Sequence, residues 1–352
     1  MNHLEKDLLK RKENGNHRSL PLPSFGIDFL SNDYLGLASK KHKLHVNSGS
    51  SGSRLLSGNS KSTEAIEERI AKIHGVESAL LFQSGYTANL GLISAVVKKN
   101  DYLIADEFSH ASILDGARMS FGSSYKFKHN DLEDLEKKLL KASGSNFVIT
   151  ESTFSMDGSS SNLKEVSKLC KAHKALLIVD EAHSVGLENE YSNMYADIRV
   201  VTYGKAFGAH GAAVLGPAVL KQFLVNFSRP FIYSTAPSPC QIESINMAYS
   251  AVLAADNQRF NLEKLIEYWN KSKDTSLNWI ESKTQIQSLV IPGNLEVSKL
   301  CEFLSQNGVN ALPIKSPTVK AGFERVRFCL HSFNTKEQID LLFKLLDQWE
   351  GK

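Results

Sequence analysis

Cysteine is scarce and unpatterned. Cys170, Cys240, Cys301 and Cys329 lie far apart with no Cys-x-x-Cys pair, which excludes a disulfide framework and a zinc ribbon and fits a reducing compartment. Long apolar runs are missing too: none approaches the roughly 20 residues needed to cross a bilayer, so no membrane insertion is expected. Neither sign of charge dominates. Forty-one basic against 38 acidic residues leave a net charge of +3, a balance that does not call for a nucleic-acid partner. The first twenty residues lack the apolar core of a signal peptide, and Glu5, Asp7 and Glu13 depart from an acid-poor transit composition. The expectation is a cytoplasmic protein. At 352 residues the chain exceeds one typical domain, and it contains no internal repeat.

What is present is alternation. Segments near 78–82, 102–105, 124–128, 146–151, 175–180, 198–203 and 211–215 read as strands, with helical periodicity near 62–74, 85–98, 131–142 and 162–173. Strands alternating with helices imply an α/β fold, a mainly parallel seven-stranded sheet with helices on both faces. Beyond Pro237 and Pro239 a helical pattern runs to about 271. A strand at 286–291, a helix near 296–306, a strand at 325–331 and a final helix capped by Asn334 with Glu337 complete a smaller C-terminal α+β domain. The expected organisation is 1–31 as an N-terminal helix and arm, 32–236 as the large domain and 237–352 as the small one. The serine- and glycine-rich stretch from Ser48 to Ser53 reads as a functional loop.

Three segments carry candidate chemistry. In Val200-Val201-Thr202-Tyr203-Gly204-Lys205-Ala206-Phe207-Gly208, one lysine sits among small residues directly after a β-branched run. It is either a solvated loop charge or an amine held for a Schiff base with a carbonyl cofactor. Leu176-Leu177-Ile178-Val179-Asp180-Glu181-Ala182-His183 reads as a buried strand with an acid at its carboxyl end and a histidine three residues on, where ligands of parallel sheets collect. An ordinary polar turn would look similar. A metal pair would need a third ligand at a recognisable spacing, and none exists, so no metal is expected. Leu80 to Asn89 runs from a strand through Ser84-Gly85 into an apolar helix, whose free N–H groups and positive dipole end suit a phosphate.

In that order the three segments resemble the fold-type I pyridoxal phosphate transferases. Ser31-Asn32-Asp33-Tyr34-Leu35-Gly36-Leu37, Asp106-Glu107-Phe108-Ser109-His110-Ala111-Ser112, Glu151-Ser152-Thr153-Phe154-Ser155-Met156-Asp157-Gly158 and Pro230-Phe231-Ile232-Tyr233-Ser234-Thr235 narrow the likeness. Over nearly the whole chain the sequence is similar to the α-oxoamine synthase family. Within it, Ser84 to Asn89 and Gly204 to Gly208 look most like the branch that serves biotin biosynthesis.

The resemblance implies pyridoxal 5'-phosphate as cofactor, joined to Lys205 as a Schiff base. Lys205 would then serve as general base at the substrate's α-carbon. It implies that Asp180 pairs with the pyridine nitrogen, that His183 and Ser155 reach the phenolic oxygen, and that His110 lies over the ring. Gly85 and Tyr86 would hold the phosphate through their N–H groups, with the Thr202 hydroxyl beside them. Asn32 and Arg327 would clamp the substrate carboxylate, a task suited to a planar guanidinium. Thr318 would touch substrate, and Arg18 would meet the far end of the acyl chain. The implied partners are an amino acid, L-alanine, and an acyl thioester, pimeloyl, on coenzyme A or acyl carrier protein. Ser234-Thr235 would reach a neighbouring subunit's site, giving a homodimer with shared active sites.

Two features depart from the family pattern. The N-terminal arm is short, and Leu187 to Ala196 carries Glu-Asn-Glu-Tyr-Ser-Asn in place of a Gly- and Arg-rich stretch. Transfer of a long-chain acyl group onto serine, an aminotransferase on the same fold and a catalytically dead partner subunit are the competing expectations.

Overall fold

The computed structural model describes residues 2–20, 25–40, 46–188 and 194–350. It divides into two compact units, one of Leu35–Phe154 and Ser160–Asp256, the other of residues up to Tyr34, Ser155–Ser159 and Asn257 onward. The N-terminal stretch, which the sequence sets apart, thus falls in one unit with the C-terminal residues. Much of the distinctive segment 188–193 lies outside the described residues.

The larger unit is built on a seven-stranded sheet in the order Ser78–Phe82, Ala212–Gly216, Ile198–Thr202, Leu176–Asp180, Asn146–Glu151, Tyr102–Asp106, Ser123–Phe127. Ala212–Gly216 runs antiparallel to both neighbours, and the remaining pairs are parallel. Successive side chains of a strand point to opposite faces. Ile149 and Ile178 therefore join one apolar cluster with Leu92 and Leu103, while Val148 and Leu177 join another with Leu135 and Val166. Burial on both faces explains why these strands read as continuous apolar runs. The parallel strands end together at Asp106, Glu151, Asp180 and Thr202.

Five helices differ from the expectation. Ala111–Met119, Ala218–Phe227 and the one-turn helix Arg229–Ile232 were not apparent in the sequence. The long pattern after Pro239 is two helices, Pro239–Leu253 and Asp256–Ser272. Nothing but alanine marks the break, and Asp256 opens the second helix where an acid favours the dipole.

The smaller unit centres on an antiparallel sheet in the order Leu312–Ile314, Arg325–Cys329, Ile286–Val290, Trp279–Ile280. Behind it Trp269 packs against Phe343 at 4.8 Å, Trp279 at 5.5 Å and Phe328 at 5.7 Å between ring centroids. Arg325–Cys329 is an inner strand, so Arg325 and Arg327 are buried rather than solvated at an edge. The segment Ser155–Ser159 is strapped to this unit: Ser288 Oγ donates to Met156 O at 3.0 Å, and Ser282 Oγ and Thr284 Oγ1 each donate to Gly158 O at 3.1 Å. Gly158 has φ +76°, and a Cβ there would lie 2.1 Å from Ile286 O. Only glycine fits. The last helix, Lys336–Glu350, is capped one residue later than expected, by Thr335 and Gln338 bonding to each other's amides. Asn334 instead accepts from the His331 amide at 2.8 Å.

Candidate active site

Gly85 opens the helix Gly85–Val96, and Ser84 caps it by accepting from the Thr87 amide. The first N–H groups of a helix have no partner within it, so Gly85 and Tyr86 present donors at the end of the strand Ser78–Phe82. Across from them stands Thr202, the last residue of its own strand. A Cβ on Gly85 would fall 2.6 Å from Thr202 Cγ2. Glycine is what leaves room there.

Asp180 ends the neighbouring strand and is buried. Its carboxylate is fixed from two sides, by Asn89 Nδ2 at 2.7 Å and the Ala182 amide at 2.9 Å. Asn89 lies on the helix that Gly85 begins, four residues along, so the free amides at the helix start and the acid are set by one element. His183 is buried in the turn after Asp180. Lys205 lies in the bend after Thr202, partly buried.

His110 is the N-cap of Ala111–Met119. Its Nδ1 accepts from the Ser112 amide at 3.2 Å, which fixes that nitrogen as the unprotonated one. Ser112 Oγ, 2.8 Å from the same nitrogen, receives Asn89 Nδ2 at 3.0 Å. Asn89 therefore holds Asp180 and His110 in one hydrogen-bonded chain. Burial lowers the proton affinity of the imidazole; Asp180 opposes this and Lys205 adds to it. The ring is neutral, with its proton on Nε2.

Glu151 has no role in the sequence argument and turns out to be central. It faces Asp180 across the paired strands and accepts the His110 amide at 2.6 Å. Burial pushes its pKa well above the ordinary carboxylate value, and the nearby Asp180 pushes the same way. Glu151 thus holds a proton more tightly than an ordinary carboxyl group. Only strand pairing reveals this, because the two residues are 29 apart in sequence.

The other expected residues belong to the smaller unit. Asn32 and Arg327 meet at 3.3 Å, and Arg327 Nη1 donates to Ser155 O at 3.0 Å. Arg327 is 5% exposed, its Nε has no hydrogen-bond partner, and no acid pairs with it among the described residues. A buried guanidinium without a counter-ion is costly. An anion brought to it would offset that cost. Arg18 and Thr318 are exposed and meet at 3.4 Å.

Residues 26–346 match the aminotransferase class I and II family. The chain is 37% identical over 343 residues to the 8-amino-7-oxononanoate synthase of Buchnera aphidicola subsp. Baizongia pistaciae, covering 92% of this chain and 89% of that one. The chain belongs to the α-oxoamine synthase family. Among solved structures, this α-oxoamine synthase is similar to the 8-amino-7-oxononanoate synthase of Francisella tularensis, with 28% identity, a TM-score of 0.80 and coverage of 93% of this chain and 98% of that one. It shares its fold with the serine palmitoyltransferase of S. paucimobilis, at 23% identity and a TM-score of 0.87, covering 98% of this chain and 96% of that one.

The enzyme's cofactor is pyridoxal phosphate. The larger unit fits it: a glycine cradle at a helix start for an anion, a buried carboxylate for a protonated ring nitrogen, and a primary amine on the next loop.

Proposed function

We propose that this α-oxoamine synthase condenses L-alanine with a pimeloyl thioester, releasing carbon dioxide and free thiol and forming 8-amino-7-oxononanoate. The observation that carries the amino-acid half is Arg327, a buried cation without an acidic partner among the described residues and beside the Asn32 amide. Arg18 supports a dicarboxylic acyl group, because its exposed guanidinium meets only a hydroxyl, that of Thr318, among the described residues. The identity to a relative named for this reaction points the same way.

When bound, pyridoxal phosphate supplies an aldehyde for the substrate amine and a cationic ring that draws electrons from the bond broken at the α-carbon. Lys205 Nζ takes the proton from that carbon and returns one after carbon dioxide leaves. Asp180 keeps a proton on the pyridine nitrogen, and the Asn89 and Ala182 donors keep Asp180 facing it. His183 and Ser155 hydrogen-bond the phenolic oxygen. Neutral His110 stacks on the ring without adding a second cation beside Lys205. Gly85, Tyr86 and Thr202 hold the phosphate with uncharged donors. Arg327 and Asn32 grip the carboxylate and so set which α-carbon bond stands perpendicular to the ring.

A homodimer with shared sites is part of the proposal. Thr235 bridges to Ser53, and Ala236 N donates to Gly52 O at 2.9 Å. The loop Ser53–Gly58 and the Ser234-Thr235 pair therefore form one surface, on which Leu56 and Tyr233 are 83% and 73% exposed. The exposed Leu55 and Leu56 favour one second reading, transfer of a long acyl chain. A matrix of alanine, glycine and serine against pimeloyl and palmitoyl thioesters, on coenzyme A and on acyl carrier protein, decides between them. Thiol and carbon dioxide release are expected to peak for alanine with pimeloyl. A peak for serine with palmitoyl overturns the proposal, and amino-group exchange without thiol release overturns both readings.

A further inference from the structure

Three donors converge on one atom. Tyr34 Oη lies 3.1 Å from Asn32 Oδ1, Arg327 Nη2 3.3 Å and Cys329 Sγ 3.7 Å. A guanidinium can only donate, so the atom it meets must be the amide oxygen, and the orientation of the Asn32 amide is fixed by chemistry. Its Nδ2 then points away from this cluster with two N–H donors and meets no protein acceptor among the described residues. Resting on the reading of Arg327 and Asn32 as the carboxylate clamp, we infer that Tyr34 and Cys329 are positioning residues: they hold the Asn32 amide with its NH₂ group toward the substrate carboxylate.

The placement is built from the sheet. Arg325, Arg327 and Cys329 alternate along one strand and so share a face; Arg325 approaches Asp157 at 3.8 Å, Arg327 holds the Ser155 carbonyl, and Cys329 reaches Asn32. Tyr34 is fully buried, its ring lies over His331 at 6.4 Å and its carbonyl accepts the Ser332 amide at 2.8 Å. Gln285 hydrogen-bonds the phenol. A row therefore runs from Gln285 through Tyr34 to Asn32. Burial raises the pKa of both the phenol and the Cys329 thiol, so each stays protonated and able to donate. Without them Asn32 Oδ1 would keep only the arginine at 3.3 Å, and the amide would be held less firmly with its NH₂ group toward the carboxylate.

The holoenzyme tests this by steady-state kinetics and by calorimetric titration with L-alanine. Tyr34→Phe is expected to raise the alanine KM and dissociation constant about 3- to 10-fold, the scale of one hydrogen bond, with kcat changed less than about twofold. Cys329→Ala is expected to act the same way more weakly, and Cys329→Ser, which restores a donor, to recover wild-type values. The KM for the acyl thioester stays unchanged. Equal alanine affinity in wild type, Tyr34→Phe and Cys329→Ala overturns the inference, as does a loss of kcat at constant KM. If Tyr34→Phe does not fold, the Cys329→Ala and Cys329→Ser pair decides by the same criteria. Arg327→Ala separates the two levels: if it too leaves alanine affinity unchanged, the clamp itself is wrong; if it abolishes binding while the other variants do nothing, only the positioning role falls.

Discussion

Glu151 and Gly85 show how one atom sets the chemistry of its neighbours. Glu151 has its carboxyl raised by burial from an ordinary 4.5, so the folded state binds the proton more tightly than the unfolded chain does. Its contribution to stability is full below about 4.5 and falls as the pH rises toward its folded value. Glu151→Gln keeps an acceptor for the His110 amide and removes the titration. The melting temperature of the variant relative to wild type is therefore expected to climb between pH 4.5 and neutrality, and a flat difference across that range would show Glu151 ionised. His110 runs in the opposite sense, since its lowered proton affinity gives stability above the unfolded imidazole value that is lost on acidification. At Gly85 a methyl group would press on Thr202 at 2.6 Å. Gly85→Ala is expected to weaken pyridoxal phosphate at least about 10-fold in a cofactor titration and, because Thr202 must shift, to lower the melting temperature of the apo protein as well. Lys205→Ala removes the amine and is expected to lower turnover at least about 1000-fold, with loss of the absorbance band of the Schiff base.

At the scale of elements, six of the seven central strands were legible because each is a short, largely apolar run that is mostly buried, while the edge strand Ser123–Phe127 is exposed at all but its last residue and reads as a strand without such a run. Their boundaries followed within a residue or two. Ala111–Met119 escaped notice because Gly116, Ser112 and Asp115 interrupt any apolar stripe, and its start is capped by a histidine rather than a usual capping residue. Lys205, Asp180 and His183 were legible as candidates, since Asp180 ends a strand and the other two follow strand ends. Glu151, Asn89 and Ser112 were not, for their meaning depends on which strands are neighbours. Caps and turns give a direct check on elements. Thr335→Ala is expected to cost about 1 kcal/mol in denaturant melts, whereas Asn334→Ala acts through His331 instead. Gly158→Ala meets both a positive φ and a backbone oxygen, and is expected to cost at least about 2 kcal/mol.

At the scale of the whole molecule, neither compact unit is a single stretch of chain. The sequence divides naturally into three consecutive segments, but contiguity is a property of the chain and packing is a property of surfaces. Ser155–Ser159 shows the difference: five residues inside a run of the larger unit are hydrogen-bonded to the smaller one. The proposed homodimer is expected to appear in sedimentation velocity as a species of about twice 39.0 kDa. Charges replacing Leu56 and Tyr233 together are expected to shift it toward monomer, and a monomeric wild type would remove the shared-site part of the proposal.

The smaller unit also fixes an order of events during synthesis. Ile27 pairs with Val309, the Phe29 carbonyl accepts the Cys329 amide, and the Tyr34 carbonyl accepts the Ser332 amide. Residues 27–34 therefore leave the ribosome long before any of their partners exist, and Asn32 waits through some 300 further residues for the strand that will hold it. The larger unit can form ahead of the clamp. A nascent chain halted near residue 300 is expected to carry a protected central sheet and an unprotected segment at 27–34, so that substrate recognition is the last property this enzyme acquires as it is made.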